Sequence, residues 1–160
     1  MKLFFRRFGL LILSVAFAGW WYFRYKVVHP LPWPDIQVES APGVEHSLDE
    51  LVLFPSAIHF FASWCGPCMK ELPELSKYQQ AHPDERIYLI TDDSWDKITP
   101  LADRLNLEIL RVERMSDFGV RSIPTTFFFD RNGNQVMAFQ GMGSWDDPEF
   151  RSKIAPIFNP

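Results

Sequence analysis

The chain has 160 residues, of which 47% are hydrophobic and 22% charged, so it can bury one core of ordinary size and is not globally disordered. Its two cysteines, Cys65 and Cys68, are too few and too close to staple a fold, and the net charge of −4 argues against a nucleic-acid binder. The charge is split along the chain: Lys2, Arg6, Arg7, Arg24 and Lys26 lie in an acid-free segment 1–26, and the remaining 134 residues carry eleven basic and twenty acidic side chains, a net −9.

Phe8 to Phe23 is an uncharged run of 16 residues. As a helix it spans about 24 Å, against a hydrocarbon core of roughly 30 Å. Trp20, Trp21 and Tyr22 stand where an interfacial aromatic belt would lie, and Arg24 and Lys26 can snorkel beside them. Residues 1–26 therefore read as a membrane anchor or signal segment, with Lys2, Arg6 and Arg7 on the cytoplasmic side. Ala16-Phe17-Ala18 also fits a small-x-small cleavage pattern, so removal near Ala18 is the alternative. A buried core helix fits poorly, because nothing polar alternates with the apolar residues. The first two readings place the acidic body outside the cytoplasm. It is expected at a bacterial inner membrane, single-pass with its C-terminal domain in the periplasm, or free in the periplasm after cleavage. No cysteine directly follows the run, which speaks against a lipoprotein anchor. Residues 27–35, containing His29-Pro30-Leu31-Pro32-Trp33-Pro34, read as a semi-rigid spacer before a domain over 36–160.

Within that domain, Ile36 to Glu39 alternates like a short strand and Ala41-Pro42-Gly43 is a turn. Ser47 is placed to cap a short helix through Leu51. Ala57 to Ala62 is nearly all apolar, as in a central strand buried on both faces. Pro67 to Ala81 has helical spacing, with Pro73 expected to kink it. Ile87–Thr91 reads as a strand, Ser94–Leu105 as a helix and Leu107–Val112 as a strand, while Met115–Val120 is too short to assign. Thr125–Phe129, the turn Asp130-Arg131-Asn132-Gly133 and Gln135–Gln140 form a hairpin. A last helix starts at Asp146 or Asp147, with Pro148 in its first turn, and buries Phe150, Ile154, Ile157 and Phe158. The expected class is α/β, with a mixed central sheet.

The chemistry concentrates in Trp64-Cys65-Gly66-Pro67-Cys68, where a strand ends and a helix begins. A cysteine at a helix N-terminus has its thiolate stabilised by free backbone N–H groups and the helix dipole, and the thiolate is the attacking species in disulfide exchange. Cys68, one turn on, is close enough to resolve the mixed disulfide. Pro67 suits a first turn, which needs no N–H there. Two rival readings are weaker. Half a zinc site lacks a second cysteine pair, and His29, His46, His59 and His82 have no ligand spacing, so no metal is expected. A structural disulfide closing so small a loop stabilises little. In Ser122-Ile123-Pro124-Thr125, a proline opens a buried strand. A cis bond there would free the backbone of Ile123 to pair with an extended substrate, and a trans proline at a strand start is equally compatible with the residues.

Over residues 36–158 the chain resembles the thioredoxin family. The resemblance rests on Trp64-Cys65-Gly66-Pro67-Cys68, Pro73, the stretch from Phe118 to Thr125, the Asp130-Arg131-Asn132-Gly133 turn, and Gly141. It implies a thioredoxin fold with Cys65 as nucleophile, Cys68 as resolving thiol and Pro124 cis beside them. Within the family the chain is similar to the membrane-tethered TlpA-like reductases, which include cytochrome c maturation thioredoxins. That likeness implies an added N-terminal hairpin and a helix–strand insertion before the cis-proline. It also matches Met69-Lys70-Glu71-Leu72-Pro73 to the group's Glu-x-Pro pattern, so Glu71 is a carboxylate near the thiols, although as a first-turn residue it equally suits the helix dipole. His59 stands where the family carries Asp or Asn, either as a neutral core histidine or as a proton shuttle for Cys68.

The expected function is exported thiol–disulfide exchange, most consistent with reduction of protein disulfides, because the Gly66-Pro67 dipeptide matches the family's reducing members. No cofactor is expected beyond the redox-active Cys65–Cys68 pair. The implied partners are a disulfide-containing protein, a membrane thiol-reducing electron donor and, through the N-terminal helix, the membrane. An oxidant or isomerase is the same-class alternative. A chaperone or binding module presenting Trp64 and Trp145 on its surface is the other.

Overall fold

The β-hairpin that opens the domain is the local consequence of Pro42-Gly43, where Gly43 takes the left-handed φ of +76°. In the computed structural model, which describes residues 14, 15, 17 and 36–159, strands β1 (Gln37–Ala41) and β2 (Val44–Ser47) flank this turn. They are followed by α1 (Leu48–Leu51), β3 (Ser56–Phe60), α2 (Gly66–Ala81), β4 (Arg86–Thr91), α3 (Trp95–Leu105) and β5 (Ile109–Arg111). A 3-10 turn (Met115–Phe118), β6 (Thr125–Phe129), β7 (Gln135–Gln140) and α4 (Pro148–Phe158) complete the domain. The proposed anchor and spacer, residues 1–35, lie outside the described residues except for Ser14, Val15 and Phe17, which are helical. Among the described residues, no helix is long and apolar enough to cross a membrane.

The seven strands form one mixed sheet in the order β2-β1-β5-β4-β3-β6-β7. Strands β3, β4 and β5 are parallel, joined by α2 and α3; on the other side β6 runs antiparallel to β3, and β7 antiparallel to β6. The insertion and the hairpin are parts of one extension, because β5 is the strand on which β1 docks, at Glu39 opposite Arg111. Side chains seal that junction. The Glu39 carboxylate accepts the Trp95 indole N–H at 2.7 Å and pairs with Arg111 at 3.1 Å.

Alternation along β3 and β6 divides the core into two halves. Phe60 and Phe127 face one side, where Phe60 packs against both Phe127 and Phe118 of the 3-10 turn. His59, Thr126 and Phe128 face the other, where Phe128 meets Trp145 and Phe158. Burying a phenylalanine of this kind contributes about 2–3 kcal/mol. Helix α2 is tied to α3 by the Ser76 hydroxyl, which donates to the Leu105 carbonyl at 2.5 Å, and to α4 by Arg151 and Tyr78.

Most element boundaries fall within a residue or two of the expectation. Strand β5 starts later than expected, because Asn106 closes α3 in a left-handed conformation; at its far end the Val112 N–H still bonds to Thr91 in the parallel ladder. Residues 115–118 resolve into a 3-10 turn ended by Gly119 at φ +70°. Ser47 occupies the cap position of α1, but its hydroxyl donates to the Asp49 carboxylate and caps no backbone N–H. Asp147 does cap α4, accepting from the Glu149 and Phe150 amides. Helix α2 continues through Pro73, which lies on its exposed side.

Candidate active site

The loop after β3 delivers Cys65 to the N-cap of α2, in extended backbone conformation. Two hydrogen bonds set the turn: the Cys65 N–H donates to Ala62, and Met69 donates back to the Cys65 carbonyl, both at 3.0 Å. A third holds the approach, where the Ser63 N–H donates to the buried Asp93 carboxylate at 2.5 Å. Cys65 is bonded to Cys68 through an S–S bond of 2.12 Å, and its sulfur accepts the Cys68 N–H at 3.2 Å. Cys68 has no exposure and Cys65 has 5%, so an incoming sulfur reaches Cys65 first. Gly66 and Pro67 form the exposed first turn, and the neighbouring Trp64 is 72% exposed.

The Ile123–Pro124 bond is cis. The Cys65 sulfur lies 3.8 Å from the Ile123 carbonyl oxygen, and the Pro124 carbonyl accepts the Gly141 N–H at 2.9 Å. Residues 58 positions apart in sequence thus form one edge beside the disulfide. A second cis bond, Phe54–Pro55, precedes β3 and carries no sequence signal beyond the proline itself.

Glu71 requires a correction. It lies in the second turn of α2, beyond reach of the first-turn amides, and is fully buried. Its spacing of three from Cys68 puts the two on neighbouring positions of one helix face. One carboxylate oxygen accepts the Gly143 N–H at 2.9 Å and the Trp145 indole N–H at 2.8 Å. The other oxygen has no partner. Burial pushes its pKa up, opposed by those two hydrogen bonds.

His59 is also fully buried. Its Nδ1 is 2.9 Å from the Thr126 hydroxyl, Nε2 has no partner, and the ring packs against Phe61 and Trp145. Burial holds its pKa down at about 3, so the imidazole is neutral at physiological pH.

Trp145 overturns its expected place on a binding surface. It is completely buried, wedged among Tyr78, His59, Phe128 and Phe150, with its N–H spent on Glu71. Of the two tryptophans considered for a surface role, only Trp64 is exposed. Gly143 is equally unanticipated. A Cβ there would lie 3.1 Å from the Phe150 ring and 3.2 Å from both the Glu71 carboxylate and the Trp145 nitrogen. The sequence signal was Gly141-Met142-Gly143, two glycines directly after a strand, which marks a close backbone approach. Among the described residues, no three His, Cys, Asp or Glu side chains gather as a metal site.

Comparison with known proteins places this geometry in context. A sequence model of the thioredoxin family matches residues 47–154. The chain is 26% identical to the thioredoxin-like protein YneN of Bacillus subtilis (strain 168) over 91% of this chain and 93% of that one. It is 24% identical to the thiol-disulfide oxidoreductase ResA of Bacillus cereus (strain ATCC 10987 / NRS 248), over 97% and 98% of the two chains. A solved structure of a thiol:disulfide interchange protein DsbE from Chlorobium tepidum superposes with a TM-score of 0.63 at 20% identity, covering 81% of this chain and 99% of that one. With its family match spanning most of the domain and its fold shared, the chain belongs to the thioredoxin family.

Proposed function

We infer that the protein is a thiol–disulfide oxidoreductase that reduces disulfides in other proteins. The observation that carries this reading is the Cys65–Cys68 disulfide at the start of α2, with the Cys65 sulfur at the N-cap and facing the Ile123 carbonyl. In the reduced protein the Cys65 thiolate attacks one substrate sulfur. The substrate S–S bond breaks, a mixed disulfide forms, and a substrate thiolate leaves and takes up a proton. Cys68 then loses its proton and attacks the Cys65 sulfur. The second substrate thiol is released, and the protein is left in the disulfide state of this structure. Two electrons and two protons from a thiol donor restore the dithiol. Relatives named as thiol-disulfide oxidoreductases support the same reading.

Each remaining site residue has an assigned part. Ile123 and cis Pro124 present backbone to the extended substrate beside Cys65, Trp64 offers it an exposed aromatic face, and Gly66 and Pro67 keep the first turn open. Glu71 is a buried carboxylate three residues from Cys68 along α2 and is assigned to proton exchange with it. The buried Cys68 is the thiol whose proton must leave, and the unpartnered Glu71 oxygen is an acceptor on the same helix face. His59 is assigned to the core as a neutral imidazole. No cofactor beyond the two cysteines enters the scheme.

The apolar run 8–23 and the basic residues around it support an inner-membrane tether, with the domain in a bacterial periplasm and a membrane thiol-reducing relay as electron donor. Signal cleavage near Ala18 would free the domain in the same compartment.

Insulin-disulfide reduction tests the reading. Cys65→Ser is expected to abolish turnover, and Cys68→Ser to accumulate mixed disulfides that identify the substrate. Full activity of Cys65→Ser would overturn the proposal. A redox potential near about −270 mV fits a reductant, whereas one near about −120 mV would make the protein an oxidant.

A further inference from the structure

The short loop that carries β3 into Cys65 is held at three points. The Phe61 N–H donates to the Ile90 carbonyl at 3.1 Å, and the Cys65 N–H closes a turn on the Ala62 carbonyl at 3.0 Å. Between them, the Ser63 N–H donates to the Asp93 carboxylate at 2.5 Å. The first two contacts join backbone to backbone. The third depends on one side chain, 30 positions away in sequence, just beyond the end of β4. Asp93 is 6% exposed, and a buried carboxylate persists only where hydrogen bonds offset the loss of water.

The surroundings of Asp93 fix where that carboxylate lies. The oxygen that meets Ser63 also accepts the Thr91 hydroxyl at 3.2 Å, and the Asp93 N–H donates to the same hydroxyl oxygen at 3.2 Å. Lys97 stands 4.0 Å from the second carboxylate oxygen. The Asp93 backbone carbonyl accepts the Arg111 Nε–H at 3.2 Å, and Arg111 pairs in turn with Glu39 of β1. A continuous series of contacts therefore runs from Glu39 through Arg111 and Asp93 to Ser63, two residues before the nucleophile. By this route β1 and β5, which extend the sheet beyond β4, bear on the loop that presents Cys65.

We propose that Asp93 is a positioning residue for Cys65: by holding the loop at Ser63 it keeps the Cys65 sulfur at the α2 N-cap, against Cys68 and the Ile123 carbonyl, and so favours the disulfide over the dithiol. The physical reason is preorganisation. Two thiols held in one geometry meet at a high effective concentration, which falls when one of them rides on a loosened loop. A pair biased toward its disulfide is a better electron donor. The inference thus rests on the reading of the protein as a reductant and names a residue that sets its strength.

The test equilibrates the full chain with reduced and oxidised dithiothreitol, which passes two electrons and two protons to the Cys65–Cys68 disulfide and is itself left as a disulfide. Asp93→Ala is expected to shift this equilibrium roughly three- to tenfold toward the dithiol, about 15 to 30 mV in reduction potential. Asp93→Asn keeps an oxygen for the Ser63 amide and removes the charge, and is expected to stay within about twofold of the native protein. Asp93→Ser, too short to reach Ser63, repeats the test should the alanine variant fail to fold. A residue that only supports the fold destabilises the oxidised and reduced proteins alike and leaves the equilibrium where it was. An unchanged equilibrium in the alanine or serine variant would overturn the proposal. Equal shifts in the asparagine and alanine variants would overturn it too, by assigning the effect to the charge. The reading as a reductant fails separately, if the native protein reduces no protein disulfide while the alanine variant still shifts the dithiothreitol equilibrium.

Discussion

Helix α2 carries one buried carboxylate, Glu71, and is followed by another, Glu85, and the two face opposite circumstances. At its C-terminal end, Glu85 follows the helix and is fully provided for. One oxygen accepts from the Tyr78 hydroxyl and the Arg151 guanidinium, the other from the Asn159 amide at 3.3 Å, and the same guanidinium sits over the Tyr78 ring. Near its N-terminal end, one position-face from Cys68, Glu71 has two hydrogen bonds on one oxygen, none on the other, and no cation. His59, across Trp145 from it, also keeps a nitrogen unpaired. Buried polar groups are normally satisfied, and those that are not mark either strain or function. The first cluster is a clamp joining α2 to α4. The second is an incompletely paired set that includes the helix neighbour of Cys68, a thiol that must gain and lose a proton when the disulfide opens and closes.

The largest expected effect tests whether acid sensitivity belongs to the incompletely paired cluster. His59 sits at about 3 in the folded protein, against an ordinary value of 6.5. The unfolded chain therefore binds the extra proton first, and stability is lost as pH falls from about 6.5 toward 3, at about 1.4 kcal/mol per pH unit. His59→Asn should remove that slope in urea unfolding followed across this range. An unchanged slope would move the acid sensitivity elsewhere and break the contrast.

Next comes the clamp. Arg151→Met leaves the Glu85 carboxylate and the Tyr78 hydroxyl buried without their cation. It should cost about 2–4 kcal/mol in chemical denaturation, the lower part of that range reflecting the partial exposure of Arg151. Disulfide-exchange rates should follow this variant only through its folded fraction.

The smallest effect has the opposite sign. Glu71 is held above its ordinary 4.5, so the folded state keeps a proton that the unfolded chain releases. That contribution is present below about pH 4.5 and is lost as pH rises through the folded value. Glu71→Gln should therefore be more stable than the native protein at neutral pH, an advantage that vanishes in acid, while slowing the resolving step at Cys68. A destabilised variant with unchanged resolving rate would make Glu71 a second clamp rather than a proton acceptor.

Much of this was legible in the chain. The local signals were unambiguous where one residue type has one physical reason to be present: Pro67 and Pro148 in first turns, Asp147 as cap, Asn132-Gly133 in the hairpin, and five successive buried residues in each of β3 and β6. The position of the cysteine pair at a strand-to-helix junction followed from the same patterns. Trp145 was misplaced because an isolated tryptophan after glycines and polar residues has no periodicity to report its burial. Of the two readings of Glu71, the first-turn dipole role fails on helix position, and its actual partners were invisible because they lie 72 and 74 residues away.

The sequence by itself determined the order of strands and helices, the place of the redox pair and the charge asymmetry between tail and body, because each depends on spacing along the chain. Only the tertiary structure decided which buried carboxylate finds a cation, which tryptophan stays on the surface, and which backbone carbonyl faces the Cys65 sulfur. Those outcomes depend on which side chains the folded sheet brings together, and one buried pairing or its absence changes the free energy of a charge by more than any local propensity can.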